Sequence, residues 1–519
     1  MTVSGTPRST RVMLLIQPAR VFNINRVATP TLYHITLGMS HLTRPTPPFW
    51  PVDSKAIGQG PPRRDILRWS APPIHILDHD SLLNIFSLSR PVLVDDAEAD
   101  SDHILDGGEW GRERWWYKLV HVCQRWRNLI LGSASYLQLC LVCTYGVPVA
   151  DMLAHSPRLP LIIDYINVNR DITEDEGRIL LALQHRDRVR RIRLEMSISN
   201  LQKLIVAIED DFPVLEFLYV GPPSRQDTSL TLSKSLRAPH LRHLILRNFA
   251  FPTGSPLLAT PGALVTLSLQ CIHPPTSFRS NELLQRLSLM PQLETLGIQF
   301  HSYYTSSHVE RDLLDVPITT HATLPNLRWF GFGGASAYLE ALLPRITLPL
   351  LEKLQLNFPH EPTFSVSNLL QFMSTARNLR LNSIKFNFDD SGIEVTAYPH
   401  EGAKMYSFLM DIGCRYLELQ VFSLAQIFDD LSPAFSTVEH LTLTYTQNDP
   451  SPEDYTEAEP SQWRKLLGSF RNLKTLVVAN GLVGELSRCL RLDDGGLPLE
   501  LLPDLKELSW VPGMDPLDS

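Results

Sequence analysis

Cysteine is scarce in this 519-residue chain, with six in all, too few for a disulfide framework in a protein of this length. Cys140 and Cys143 form one C-x-x-C, but no second pair and no histidine pair stands at zinc-site spacing. They read as small apolar residues beside the apolar segment Leu137–Val142. No apolar run approaches the roughly 20 residues of a membrane-spanning helix, and no secretory-type apolar stretch follows a basic start. Catalytic signatures are missing as well: there is no G-x-S-x-G, no H-E-x-x-H and no phosphate loop ending in Gly-Lys-Ser/Thr. Gly331-Phe332-Gly333-Gly334 is glycine-rich, but it carries a strand into its turn. The 17 histidines are scattered; His240 and His243 stand three apart without a matching acid. These absences predict a chain that is not an enzyme and holds no cofactor or metal. A net charge of −8, with no patch mixing basic and aromatic residues, argues against nucleic acid as a partner. The expected setting is the cytoplasm or nucleus, without membrane attachment.

The charge is uneven. Residues 1–70 hold nine Lys or Arg against two Asp or Glu, net +7, which leaves −15 for the rest of the −8 total. Rich in Thr, Pro and Arg and without sustained periodicity, this start is expected to be disordered. An organelle presequence is the alternative, although Val12–Ile16 is short for an amphipathic helix.

What the chain does have is repetition. An apolar residue, two free positions, an apolar residue, one free position and another apolar residue recur about eleven times from Val189 to Trp510. The copies begin at Val189, Leu215, Leu241, Leu264, Leu293, Leu327, Leu351, Leu381, Val438, Leu473 and Leu505. A proline stands two residues ahead at Pro213, Pro239, Pro291, Pro325, Pro349 and Pro503. The 57-residue gap from Leu381 to Val438 is about two periods, so a degenerate copy is expected near Tyr416–Val421. The alternating end of the phrase reads as a short strand with its apolar residues on one face. Between strands the period becomes helical, as at Leu201, Leu204, Ile205 and Ile208 and at Trp463, Leu466, Leu467 and Phe470. Ser336 and Ser461 stand where N-caps would start such helices. One strand and one helix cannot bury their apolar faces alone, but stacked copies can. The expected fold is therefore α/β, a leucine-rich-repeat-like solenoid of parallel strands and helices.

Residues alternating away from the apolar positions line the other face of those strands. One column reads Arg191, Phe217, His243, Thr266, Thr295, Trp329, Lys353; the next reads Arg193, Tyr219, Ile245, Ser268, Gly297, Gly331, Gln355. Solubility alone would not place Phe217, Tyr219, Ile245 and Trp329 there, and aromatic and arginine residues are favoured at binding hot spots. Arg191, Phe217, Tyr219, His243, Ile245, Trp329 and Lys353 are the candidate target-binding residues. The alternative is that other parts of the chain cover them.

A second element precedes the repeats. In Ile74–Leu88, Leu82, Ile85 and Phe86 share a helical face; in Trp115–Ile130, Trp116, Leu119, Val120, Cys123, Trp126 and Ile130 keep helical spacing. So many large apolar residues on short helices leave surface for a partner. Here the sequence resembles an F-box, the adaptor-docking motif of ubiquitin-ligase substrate receptors, whose pattern runs Leu-Pro-x-Glu-x-Leu-x-x-Ile-Phe and then Val-Cys-x-x-Trp-Arg. Leu77, Leu82, Ile85 and Phe86 match the first half, and Val122, Cys123, Trp126 and Arg127 the second. Asp78 and Asp80 replace the usual Pro and Glu, and an acidic insertion, Pro91–Arg112, separates the halves. Its carboxylates lack calcium-loop spacing. The arrangement is similar to F-box proteins with leucine-rich-like repeats in mushroom-forming fungi. That resemblance implies a substrate-recognition subunit of a cullin-type ubiquitin ligase. Leu77, Leu82, Ile85, Phe86, Val122, Cys123 and Trp126 would bind a Skp-type adaptor, with the cullin scaffold reached through it, and the repeats would hold an unidentified target protein.

The expected order is thus a basic start at 1–70, an F-box-like helical module at 71–135 with an insertion at 91–112, a solenoid at 136–512 and a tail at 513–519. The competing class is a repeat scaffold with no ubiquitin link, whose helical segment only caps the solenoid.

Overall fold

A computed structural model describes residues 76–91, 113–156, 158–166, 175–208, 210–223, 230–232, 235–250, 256–258, 262–272, 280–300, 318–359, 361–362, 364–446, 457–490 and 501–511. The expected disordered start, all of the acidic insertion beyond Pro91 and the tail lie outside the described residues. The fold below is that of the unit Leu77–Gly513.

It is mixed α/β, built on one large, mainly parallel sheet. Fifteen strands pair side by side: β1 Leu141–Cys143, β2 Leu161–Ile166, β3 Val189–Glu195, β4 Phe217–Gly221, β5 His243–Arg247, β6 Thr266–Ile272, β7 Thr295–Phe300, β8 Trp329–Gly333, β9 Lys353–Phe358, β10 Ser383–Asp389, β11 Gly392–Tyr398, β12 Phe408–Gly413, β13 His440–Thr446, β14 Thr475–Ala479 and β15 Glu507–Val511. The recurring phrase sets the register. Its middle apolar residues, Ile192, Leu218, Leu244, Leu267, Leu296, Phe330 and Leu354, fall on one line across seven neighbouring strands.

The prolines have a specific place. Each stands second in a tight turn closed by the first apolar residue of the phrase: Leu215 N donates to Phe212 O (3.3 Å), Leu241 N to Ala238 O (3.1 Å), Leu293 N to Met290 O (3.2 Å) and Leu327 N to Leu324 O (3.3 Å). Proline suits the second position of such a turn because its fixed φ is already correct and no N–H is needed there. The first turn residue is itself buried, so the turn is pinned to the core at both ends.

Helices fill the connections. Those used below are α1 His79–Leu88, α2 Trp115–Val120, α3 Gln124–Gly132, α4 Val149–His155, α5 Glu176–Leu183 and α6 Ile198–Ala207; further along lie α7 Ser280–Leu287, α8 Ser336–Leu342, α9 Ser367–Thr375, α10 Leu417–Leu431, α11 Pro460–Gly468 and α12 Asn480–Leu490. Leu201, Leu204 and Ile205 of α6, and Trp463, Leu466 and Leu467 of α11, are buried in the same continuous core as the strand phrase. The first ten copies of the phrase are buried throughout. At roughly 1.5–3 kcal/mol per buried aliphatic, three per unit offset the ordering entropy only because neighbouring units cover them.

Four expectations are corrected. Tyr416–Val421 is not a degenerate strand but the start of α10; the additional strand is β12, just before it. The strands are not all parallel, because β11 runs antiparallel to both β10 and β12, giving the order β9-β12-β11-β10-β13. Ser336 and Ser461 lie inside α8 and α11 rather than capping them; Ala335 and Glu459 hold the cap positions. Finally, Leu508 and Trp510 of the last copy are 40% and 44% exposed, since β15 forms the edge of the sheet.

The reversal at β11 is held from inside. Gln420 on α10, almost fully buried, donates its Nε2 to Asp389 O and Cys414 O, both at 2.7 Å. At the β10–β11 turn, the Asp389 carboxylate accepts from Ser391 N (2.7 Å) and Gly392 N (3.0 Å). That side chain takes over hydrogen bonds a tight turn would otherwise leave open.

Candidate functional site

The N-terminal helices form one candidate surface. Asp78 caps α1, its carboxylate accepting from Ser81 N at 2.6 Å, and the hydrogen bonds from Ser81 hold it below the usual carboxylate range. Leu82 and Phe86 point from α1 into the core with Trp116, Val120 and Ile130. Phe86 meets Trp126 edge-on, with ring centres 4.8 Å apart. Cys123 Sγ caps α3, accepting from Trp126 N at 3.5 Å. The module is tied to the sheet: Trp116 Nε1 donates to Cys140 O (3.3 Å), and Arg90 Nη1 donates to Gln138 Oε1 (2.7 Å).

The residues expected to bind an adaptor divide accordingly. Leu82 and Phe86 are core; Leu77 and Trp126 are partly buried against it, and Cys123 is half-buried at a helix start. Ile85 and Val122 turn outward, 41% and 59% exposed, and so does Leu88 at 85%. Leu88 was not singled out in the sequence, although it lies one turn beyond Ile85 on the same stripe. Between the start of α1 and the length of α3, a groove of about 600 Å³ is lined by His79, Gln124, Arg125, Asn128 and Leu129.

The second candidate is the face of the sheet that bears the free positions. Its two halves differ. Over the first strands, Phe217, Tyr219 and Ile245 join Cys140, Val142 and Ile162 in an apolar cluster separate from the main core. Buried side chains offer a partner no surface in this conformation. Arg193 is 1% exposed, with its guanidinium 5.7 Å from the Tyr219 ring centre. Its register neighbour Asp164 is pushed up to about 6 by burial, against the opposing pull of Arg193. Burial raises the Tyr219 phenol to about 12. His243 shares a hydrogen bond with Thr266 Oγ1 (3.1 Å), and burial, aided by Arg242 and Arg191, lowers its imidazole to about 4. Arg191 lies 3.6 Å from the Glu113 carboxylate. Arg191 and His243 are half-buried between these buried neighbours, and from β7 onward Thr295, Trp329, Lys353 and Gln355 are half-buried in succession. Of the seven candidate target-binding residues, Trp329 and Lys353 stand in this open stretch.

Cys140 and Cys143 are free and buried in different clusters, and burial raises the Cys143 thiol to about 12. Among the described residues no group of three or more His, Cys, Asp or Glu is placed to hold a metal ion. No helix among them is long and apolar enough to cross a membrane.

No family model matches the chain, and no curated protein does either. Among solved structures, a match is the crystal structure of a TLR13–ssRNA13 complex, at 13% sequence identity and a TM-score of 0.30, covering 72% of this chain. The chain spans 46% of that protein's length.

Proposed function

We propose that this protein is a substrate-recognition subunit of a cullin-type ubiquitin ligase. Its F-box-like helices dock a Skp-type adaptor, and a leucine-rich-repeat-like solenoid presents a target protein. The observation that carries this reading is three exposed apolar side chains, Ile85 and Leu88 on α1 and Val122 just after α2, on a module whose own core is already filled by Leu82, Phe86, Trp116 and Ile130. Together, three exposed large aliphatic residues on so short a module supply apolar surface that an adaptor could cover. Helices α1–α3 lie in one unit with the sheet, so a bound adaptor and a bound target would be held in fixed relation. That proximity is what a ligase receptor contributes, the transfer chemistry belonging to its partners.

The scaffold reading keeps one observation of its own: Trp116 and Tyr117 bond the β1 region, as a solenoid cap would. Co-expression of the full chain with a Skp-type adaptor separates the two. A stoichiometric complex lost in Ile85→Asp and in Val122→Asp supports the receptor; a folded chain that never retains adaptor leaves the scaffold.

A further inference from the structure

On the reading that the open half of the second face receives a target, we propose that Trp329 anchors a proline-bearing stretch of that target in a polyproline II conformation. The indole rests on glycine. A Cβ on Gly331 would come within 2.3 Å of Trp329 Cη2, and one on Gly297 within 3.2 Å of its Cζ3. Gly297 and Gly331 occupy the column that holds Tyr219, Ile245 and Ser268 on earlier strands. Any side chain there would displace the ring; its absence leaves the space that the six-membered ring of the indole occupies. The ring is thus held close over Gly297 and Gly331 while Trp329 stays half-buried. The indole has no hydrogen bond, aromatic pair or cation contact among the described residues. A flat, rigid aromatic surface of this kind is a typical hot-spot anchor.

The surroundings select the occupant. Tyr406, just ahead of β12, donates its hydroxyl to Gln355 Oε1 at 3.3 Å, and its ring lies 6.0 Å from Lys353 Nζ. Strands β8 and β12 are two places apart, roughly 9–10 Å. One turn of polyproline II takes three residues and about 9.3 Å, so prolines at i and i+3 match that spacing. Polyproline II makes no internal hydrogen bonds, and its carbonyls need outside donors. Gln299, Gln355 and Asn357, half-buried on the neighbouring strands, supply amides. Lys353 disfavours a stacked arginine or lysine, because like charges would meet beside the indole. Further across the same face the opposed carboxylates of Asp411 and Glu394 disfavour a nucleic-acid backbone.

The test uses the full chain and fluorescein-labelled decamers: decaproline, a Gly-Ser repeat, oligoarginine and oligouridine, read by anisotropy. Decaproline should bind in the micromolar range and the Gly-Ser peptide at least ten-fold more weakly. Trp329→Ala and Gly331→Ala should each weaken decaproline at least ten-fold, the second by displacing the ring while keeping it. No decaproline binding, or binding indifferent to both variants, overturns the proposal. Tighter binding of oligoarginine or oligouridine also overturns it, and assigns the shelf to a cation or a nucleobase. Adaptor binding is scored on the same preparations. Loss of adaptor binding alone defeats the ligase reading, and loss of decaproline binding alone defeats this inference.

Discussion

His243 and Asp164 set opposite pH dependences on one face of the sheet, and removing either should expose the other. The His243 imidazole is lowered from 6.5 to about 4, chiefly by burial. Between those values the unfolded chain holds a proton there that the folded chain lacks. Stability from this site is therefore full above pH 6.5 and falls as the pH drops toward 4. The Asp164 carboxyl is raised from 3.8 to about 6, again chiefly by burial. Here the folded chain holds the proton, so its contribution is full below 3.8 and is lost as the pH rises through 6. At about 1.4 kcal/mol per pKa unit, each site is worth roughly 2–4 kcal/mol across its window. Between pH 4 and 6 the two nearly cancel. Relative to the parent, His243→Gln should gain stability as pH falls from 6 to 4, and Asp164→Asn should lose it, by about 2–3 kcal/mol each. Urea unfolding followed by circular dichroism at half-unit pH steps measures both differences. Differences that stay flat with pH, or that carry the opposite signs, would refute the reasoning.

Three further outcomes follow from packing. Gln420→Leu removes the donor that serves Asp389 O and Cys414 O, leaving two buried carbonyls; a loss of about 2–4 kcal/mol is expected in urea unfolding, with fast hydrogen exchange confined to β10–β12. Phe86→Ala should cost about 3–5 kcal/mol, since Phe86 is core and packs edge-on against Trp126; Ile85→Ala, at an exposed site, should stay within roughly 0.5 kcal/mol in the same melts. Trp463→Ala should lower stability by about 3–5 kcal/mol, because the ring is fully buried against Phe388 with centres 5.7 Å apart; a melt unchanged from the parent would show that α11 is not packed on the sheet.

The repeat was legible because strand burial is periodic: each apolar phrase that the sequence displays forms a strand, and the prolines mark the turns ahead of them. The reversal at β10–β12 escaped notice for a local reason. Phe408, Met410 and Ile412 alternate as a buried strand should, but no leading leucine and no turn proline announce them. The turn signal was present nonetheless, as Asp389-Asp390-Ser391-Gly392 lies between the runs Ile384-Phe386-Phe388 and Ile393-Val395-Ala397. In the helical module, spacing marked a shared face but not how far around the helix the core extends; that depends on α2 and α3 packing against α1. Hence Phe86 and Ile85, adjacent in sequence, separate into core and surface. On the sheet, alternation placed Phe217, Tyr219 and Ile245 on the face away from the main core, but whether that face is covered depends on tertiary packing that strand period does not encode.

The most direct test of the central claim is the affinity of the full chain for a purified Skp-type adaptor, measured by calorimetry for the parent, Ile85→Asp, Val122→Asp and Phe217→Ala. The account predicts one adaptor per chain at submicromolar affinity. It predicts a loss of about a hundred-fold or more in each of the first two variants, with melting unchanged, and parental affinity in Phe217→Ala, whose site lies on the sheet. No binding by the parent, or equal binding by Ile85→Asp and Val122→Asp, would contradict it.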